Sequence, residues 1–224
     1  MPSRAAGAVT EARAGTVGEM TDPADVGRAL GADSLDDIVL DGLRGLGAER
    51  AAEIRALIRD VPDYPHPPVV FRDITPLLAD GRALADVVEA FARLVDADGG
   101  VDVVAGMEAR GFLLGAPLAT RLGVGFLPLR KAGKLPPPVE RVEYELEYGS
   151  AAIELRTGTL EAGARVLLVD DVLATGGTAR AAAELVERSG GQVVALAFLL
   201  ELAGLGGRGT LPGRTVEALL RVES

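Results

Sequence analysis

Two adjacent carboxylates, Asp170 and Asp171, follow the apolar run Val166-Leu167-Leu168-Val169 and stand just ahead of Thr175-Gly176-Gly177-Thr178. Glycines let a backbone close around a phosphate group, and threonine hydroxyls add donors. A helix beginning at this point offers unpaired N–H groups and the positive end of its dipole. Thr175 to Thr178 therefore form a monophosphate cradle by physical logic. Two carboxylates beside an anion would repel it unless they served another part of the same ligand. Carboxylates accept strongly from vicinal hydroxyls, so a phosphorylated ribose reconciles the acids with the cradle. The loop is not a Walker A loop, since no Gly-Lys-Ser/Thr follows, and it has no Gly-x-Gly-x-x-Gly pattern.

Other residues are chemically suggestive. Net charge is −10, and of the 23 basic residues only Lys131 and Lys134 are lysines. Both sit with Arg130 in "PLRKAGKLPPP", the densest basic point of an acidic chain. Such a cluster is either a solvated loop or a local hold on a polyanion. The acidic balance argues against nucleic acid as a partner. With no cysteine, disulfides and thiolate chemistry are excluded. His66, the single histidine, lies between prolines and receives no role. In "EYELEYG", alternation places Glu143, Glu145 and Glu147 on one side of a strand. A solvated acidic face accounts for Glu143 and Glu145.

These residues need a scaffold that brings strand ends together. Residues 34–61 show apolar positions at helical spacing, with Gly42, Gly45 and Gly47 dividing them into two helices. A segment with five prolines, "PDYPHPPVVFRDITPLL", reads as an extended, ordered loop. A helix over 82–97 should bury Leu84, Val87, Val88, Phe91, Leu94 and Val95. Then follow a strand at "VDVVAG", a helix ending at Gly123, a strand at "VGFLPL" and the basic loop. A hairpin of "EYELEYG" and "AAIELRTG", the strand "RVLLV", the helix "TARAAAELVERSG" and a final strand "QVVALAFLLEL" complete the pattern. Strands alternating with helices imply an α/β protein with a mostly parallel sheet flanked by helices. In such sheets ligands bind beyond the carboxyl ends of the strands, where Asp170 and Asp171 sit. No run approaches the ~18 apolar residues of a membrane span, and the N-terminus has no apolar signal core, so a cytoplasmic protein without membrane contact is expected.

"VLLVDDVLATGGTA" resembles the phosphoribosyl diphosphate signature of type I phosphoribosyltransferases. "VVFRDITPLL", "GMEARGFLLGAPLA", "PLRKAGKLP" and "YELEYG" resemble, in chain order, the adenine-specific members. The likeness covers roughly residues 35 to 205. It implies a phosphoribosyltransferase domain over 34–224, with a small hood near 61–78 and a flexible β-hairpin loop. Residues 1–33 are then a poorly ordered extension. It implies purine salvage by transfer of the phosphoribosyl group to adenine, giving AMP and diphosphate, in a homodimer. Mg²⁺ is implied too, held mainly through the substrate diphosphate.

By the same resemblance, Ala174, Thr175, Gly176, Gly177 and Thr178 hold the 5′-phosphate, and Asp170 and Asp171 hold the ribose hydroxyls. Arg110, Arg130, Lys131 and Lys134 meet the diphosphate. Glu147 is the catalytic acid, and Arg110 and Lys131 assist the leaving group. Tyr148 positions the ring or caps the site. Val70, Phe71 and Arg72 contact adenine. Arg110 also admits a plainer role, a helix-start arginine pairing with a nearby acid. A 6-oxopurine transferase, a non-catalytic phosphoribosyl diphosphate sensor and a flavodoxin-like signalling domain are the competing readings. The Leu173-Ala174 version of the loop, the acidic Gly/Ala-rich N-terminal region with Glu147 and the basic loop retained, and the Thr-Gly-Gly-Thr cradle weigh against them in turn.

Overall fold

The computed structural model describes residues 38–39, 41–67, 69–96, 100–145 and 150–223. The expected N-terminal extension, the start of the stretch expected as helical from residue 34, Glu147 and Tyr148 lie outside them. Ten strands and five α-helices make up the described fold: β1 (Ile38–Val39), α1 (Ala48–Ala56), β2 (Arg59–Val61), β3 (Phe71–Asp73), α2 (Thr75–Ala79), α3 (Gly81–Asp96), β4 (Val103–Met107), α4 (Arg110–Leu122), β5 (Gly125–Lys131), β6 (Val139–Glu145), β7 (Ser150–Arg156), β8 (Arg165–Leu173), α5 (Gly177–Arg188), β9 (Gln192–Leu202) and β10 (Val216–Val222).

Eight strands form one sheet in the order β1-β10-β9-β8-β4-β5-β7-β6. The five central strands, β10 through β5, run parallel. The hairpin β6–β7 adds antiparallel to one edge and β1 to the other. Period-2 alternation splits the apolar side chains between two clusters. Leu167, Val169, Ala197 and Leu199 enter one cluster with α3 and α4, while Val166, Leu168, Leu196 and Phe198 enter the other with α5. This is why the central strands read as continuous apolar runs: both faces are covered.

The helices follow the expected boundaries closely. α3 buries Val87, Val88, Phe91 and Val95, with Leu84 and Leu94 packed at the margin. Its start is set by Asp80, whose carboxylate accepts the N–H groups of Arg82 and Ala83 at 3.0 and 2.9 Å. Gly123 ends α4 in the left-handed conformation, at φ 71°. The stretch expected as two helices needs correction: it forms β1, a 3₁₀ turn over Asp41–Leu46, α1 after Gly47 and then β2, so only one α-helix lies among its described residues.

Three further expectations need correction. β9 is not the final strand, because β10 pairs parallel beside it. "VEALLRV" is rich in helix formers, and pairing along β9 with burial of Leu219 and Leu220 overrides that preference. The basic segment is not wholly loop either, since Arg130 and Lys131 complete β5 through pairing with Glu154 and Ile153. Finally, the proline-rich stretch contains order of its own. β2 and β3 form a two-stranded antiparallel sheet, with α2 directly after.

Candidate active site

β8 carries Asp170 and Asp171 into its last residues and hands the chain to the cradle. Gly176 takes φ 81°, a conformation that glycine adopts without strain, and α5 begins at Gly177 with no side-chain cap. The first-turn amides are thus left for a ligand. Asp170, Val172 to Ala179 and Phe198 line a cavity of about 340 Å³, open to solvent. All five cradle residues expected from the sequence border it.

Burial pushes the Asp170 carboxyl well above its usual value, and the neighbouring Asp171 charge pushes the same way. Its Oδ1 accepts the Asp171 N–H at 2.9 Å. Asp171 is 4% exposed. Burial raises its carboxyl too, against the pull of the Arg110 guanidinium. Arg110, the first residue of α4, brings Nε to 2.8 Å from Asp171 Oδ2. Gly111 permits this approach: a Cβ there would stand 2.5 Å from the Val169 carbonyl oxygen. In the ligand-free protein Arg110 therefore has the plainer role as well, an acid-paired arginine at a helix start.

Arg110 also faces the small sheet, its guanidinium 5.2 Å from the centre of the Phe71 ring. Tyr64 meets the same ring edge-on at 5.3 Å. Phe71 is half-buried between these contacts. Arg72 alternates to the other side, where its buried side chain pairs with Asp60 across the β2–β3 register. Only the Arg72 backbone is therefore placed to meet a ligand. Val70 leads into β3 and is half-buried. Phe71, Arg110, Asp171 and Asp170 thus form one continuous row from the small sheet to the cradle.

The basic cluster is divided. Arg130 forks onto Glu108, at 3.2 and 3.3 Å, and the Lys131 N–H donates to the same carboxylate at 2.8 Å. These contacts, Arg130 first, hold Glu108 below the ordinary carboxylate range. Lys131, the last residue of β5, and Lys134, on the turn that follows, are exposed. That turn is held from below, where the Gly133 N–H donates to the buried Glu154 carboxylate at 3.0 Å. Glu143 and Glu145 are exposed, as the alternation of β6 predicts, while Tyr144 between them is buried.

Sequence reasoning did not single out Glu108, Tyr144 or Glu154. The Tyr144 hydroxyl lies 3.3 Å from Thr178 Oγ1, tying the hairpin to the cradle. The buried positions of β6 and β7 were legible as a period, but their partners across the fold were not.

Comparison with known proteins agrees with this arrangement. Residues 74–212 match the phosphoribosyl transferase domain family. An adenine phosphoribosyltransferase of Kineococcus radiotolerans is 67% identical over 173 residues, covering 77% of this chain and 93% of its own. The crystal structure of adenine phosphoribosyltransferase from Thermoanaerobacter pseudethanolicus superposes with a TM-score of 0.74 at 48% identity, over 76% of this chain and 98% of that one. The enzyme of Saccharomyces cerevisiae, complexed with an iminoaltritol bisphosphate and adenine, gives a TM-score of 0.73 at 38% identity, over 76% and 98% of the two chains. The chain belongs to the phosphoribosyltransferase family, on its adenine phosphoribosyltransferase branch. Among the described residues no helix is long and apolar enough to cross a membrane.

Proposed function

We infer that the protein transfers the 5-phosphoribosyl group of phosphoribosyl diphosphate to adenine, releasing AMP and diphosphate in purine salvage. The observation that carries this reading is the row from Phe71 through Arg110 and Asp171 to the cradle. It sets an aromatic ring, a cation, two carboxylates and a phosphate cradle in the order of base, leaving group, ribose and 5′-phosphate. The similarity of the chain to adenine phosphoribosyltransferases, one of them complexed with adenine, selects the base.

In this reading the cradle amides and the hydroxyls of Thr175 and Thr178 hold the 5′-phosphate. Asp170 and Asp171 accept from the ribose hydroxyls, which add donors to these raised carboxyls. Arg110 then turns from Asp171 toward the diphosphate. The bond from ribose C1 to the diphosphate oxygen breaks as C1 bonds to adenine N9, and N9 loses its proton to Glu147. Negative charge near an oxocarbenium-like ribose lowers the barrier. Arg130, Lys131 and Lys134 offset charge on the departing diphosphate, and Val70, Phe71 and Arg72 frame the base. Tyr148 caps the site. In a homodimer the basic turn also serves the neighbouring subunit.

Among the described residues no group of three or more acidic or histidine side chains could hold a metal ion. Mg²⁺ would accompany the substrate diphosphate, whose charge it would partly neutralise. Release of diphosphate from phosphoribosyl diphosphate and Mg²⁺, with adenine, hypoxanthine, guanine and uracil offered separately, tests the reading. Release with adenine alone supports it. Release with another base overturns the base assignment, and release with none overturns catalysis.

A further inference from the structure

The segment after β9 has no part in the reading above, yet it packs directly beneath the phosphate cradle. A Cβ on Gly207 would collide with the Ala174 carbonyl oxygen, and one on Gly176 would collide with the Thr210 hydroxyl. The Gly207 carbonyl oxygen stands 2.6 Å from that same point above Gly176. Thr210 Oγ1 donates to the Gly207 carbonyl at 2.7 Å, with the Thr175 carbonyl 3.4 Å away. The 3₁₀ turn Gly207–Thr210 is thus the floor on which Ala174–Gly176 rests.

Arg208 ties that turn to the sheet. Arg208 donates from Nε and Nη2 to both oxygens of Glu201, at 3.0 and 2.6 Å, and from Nη1 to the Val216 carbonyl at 2.5 Å. Glu201 is 3% exposed and stands in register with Leu173, the last residue of β8. The clasp therefore fastens the floor to the sheet at the strand end from which the cradle departs. A buried carboxylate demands such a partner, because without one it bears the full desolvation penalty.

We propose that Glu201 and Arg208 are positioning residues for the phosphate subsite, holding the Gly207–Thr210 turn so that the cradle amides converge on a phosphate monoester. The proposal rests on the function inferred above only for the identity of that ligand. Neither residue touches substrate. Both act through Gly207 and Thr210 on the backbone of Ala174, Thr175 and Gly176.

The test uses the full chain with Arg208→Lys, which keeps the charge and loses the fork, and Thr210→Ala, which leaves the ion pair intact. Glu89→Gln is the control, losing an exposed pair with Arg121 far along the chain. Calorimetric titration with ribose 5-phosphate reads the subsite, and steady-state rates give KM for phosphoribosyl diphosphate and for adenine separately. Arg208→Lys should raise the ribose 5-phosphate Kd and the KM for phosphoribosyl diphosphate roughly tenfold, since small misplacements of a binding frame cost this much or more. KM for adenine should hold. Thr210→Ala should shift the same two constants in the same direction by less, and Glu89→Gln should shift neither. If Arg208→Lys and Thr210→Ala lower the melting temperature but bind ribose 5-phosphate as the wild type does, the clasp is structural only and the proposal fails. If the wild type itself binds no ribose 5-phosphate, the phosphate reading of the cradle falls first.

Discussion

Replacing Arg110 by alanine should destabilise the ligand-free protein by an amount that depends on pH. Its Nε lies 2.8 Å from Asp171 Oδ2. At that separation two unit charges attract by about 6 kcal/mol at an effective dielectric constant of about 20, and by about 1.5 kcal/mol in water. The Arg110 side chain is 39% exposed and that of Asp171 only 5%, so solvent screens one partner and not the other. The loss should therefore be about 2–3 kcal/mol, short of the ~3–5 kcal/mol for breaking a fully buried pair. Burial raises the Asp171 carboxyl in the native state and Arg110 opposes that rise, so the variant's carboxyl should climb further. A carboxyl raised on folding binds more protons in the native state. Its contribution is favourable in acid and is lost as pH rises through the folded-state value. The deficit of Arg110→Ala should thus be largest near neutrality and close as pH falls to the range where Asp171 is protonated in both proteins. Urea unfolding at about pH 7.5 and about pH 4.5 measures it. Adding Asp171→Asn to Arg110→Ala should recover most of the loss at the higher pH. An equal deficit at both pH values, with no recovery in the double variant, would refute this account of the pair.

Three further outcomes follow from the same site. Asp170→Asn should raise the melting temperature of the ligand-free protein at neutral pH, because the raised carboxyl is a native-state liability above its folded value, while weakening affinity for phosphoribosyl diphosphate. A lower melting temperature with unchanged affinity would count against it. Gly176→Ala should cost about 1–2 kcal/mol from the left-handed backbone alone, with a further loss of ribose 5-phosphate affinity as Thr210 is displaced; calorimetry showing native affinity would sink the second part. Glu147→Ala should lower kcat by about 10²–10⁴-fold, the usual scale for a positioned proton acceptor, with phosphoribosyl diphosphate affinity retained. Lost affinity with intact turnover at saturation would remove Glu147 from the chemistry.

Much of this was legible because the signals are local. Thr175-Gly176-Gly177-Thr178 encodes a left-handed turn and a helix start within four residues, and the strand before it buries alternate side chains on two covered faces. The role of Asp171 was legible only in part. Its type announces a polar task at a strand end, but its partner comes from α4, and nothing local to either segment specifies that pairing. β10 was missed because Glu217-Ala218-Leu219-Leu220-Arg221 favours helix when read alone, and only β9 beside it makes the extended form better. Glu108 and Glu154 look like solvated acids in the sequence. Each becomes a fixed point of the basic segment once β4, β5 and β7 are side by side.

The acidic pair explains why the site is strained before it is useful. Two neighbouring carboxyls, one half-buried and one buried, are raised, the one opposing cation is partly exposed, and the cradle glycine holds a backbone form that a side chain would resist. The raised carboxyls weaken the fold on their own, and the ligand of the proposed reaction would relieve them. In the proposed reaction ribose hydroxyls would donate to the carboxyls, a diphosphate would draw off Arg110, and a phosphate would accept from the first turn of α5. A fold selected for stability alone would place asparagine or leucine at 170 and 171. Keeping aspartate at both positions makes sense where the ligand supplies the missing donors, and specificity follows from the same fact. A molecule lacking either the hydroxyls or the phosphate leaves part of that desolvation penalty uncompensated.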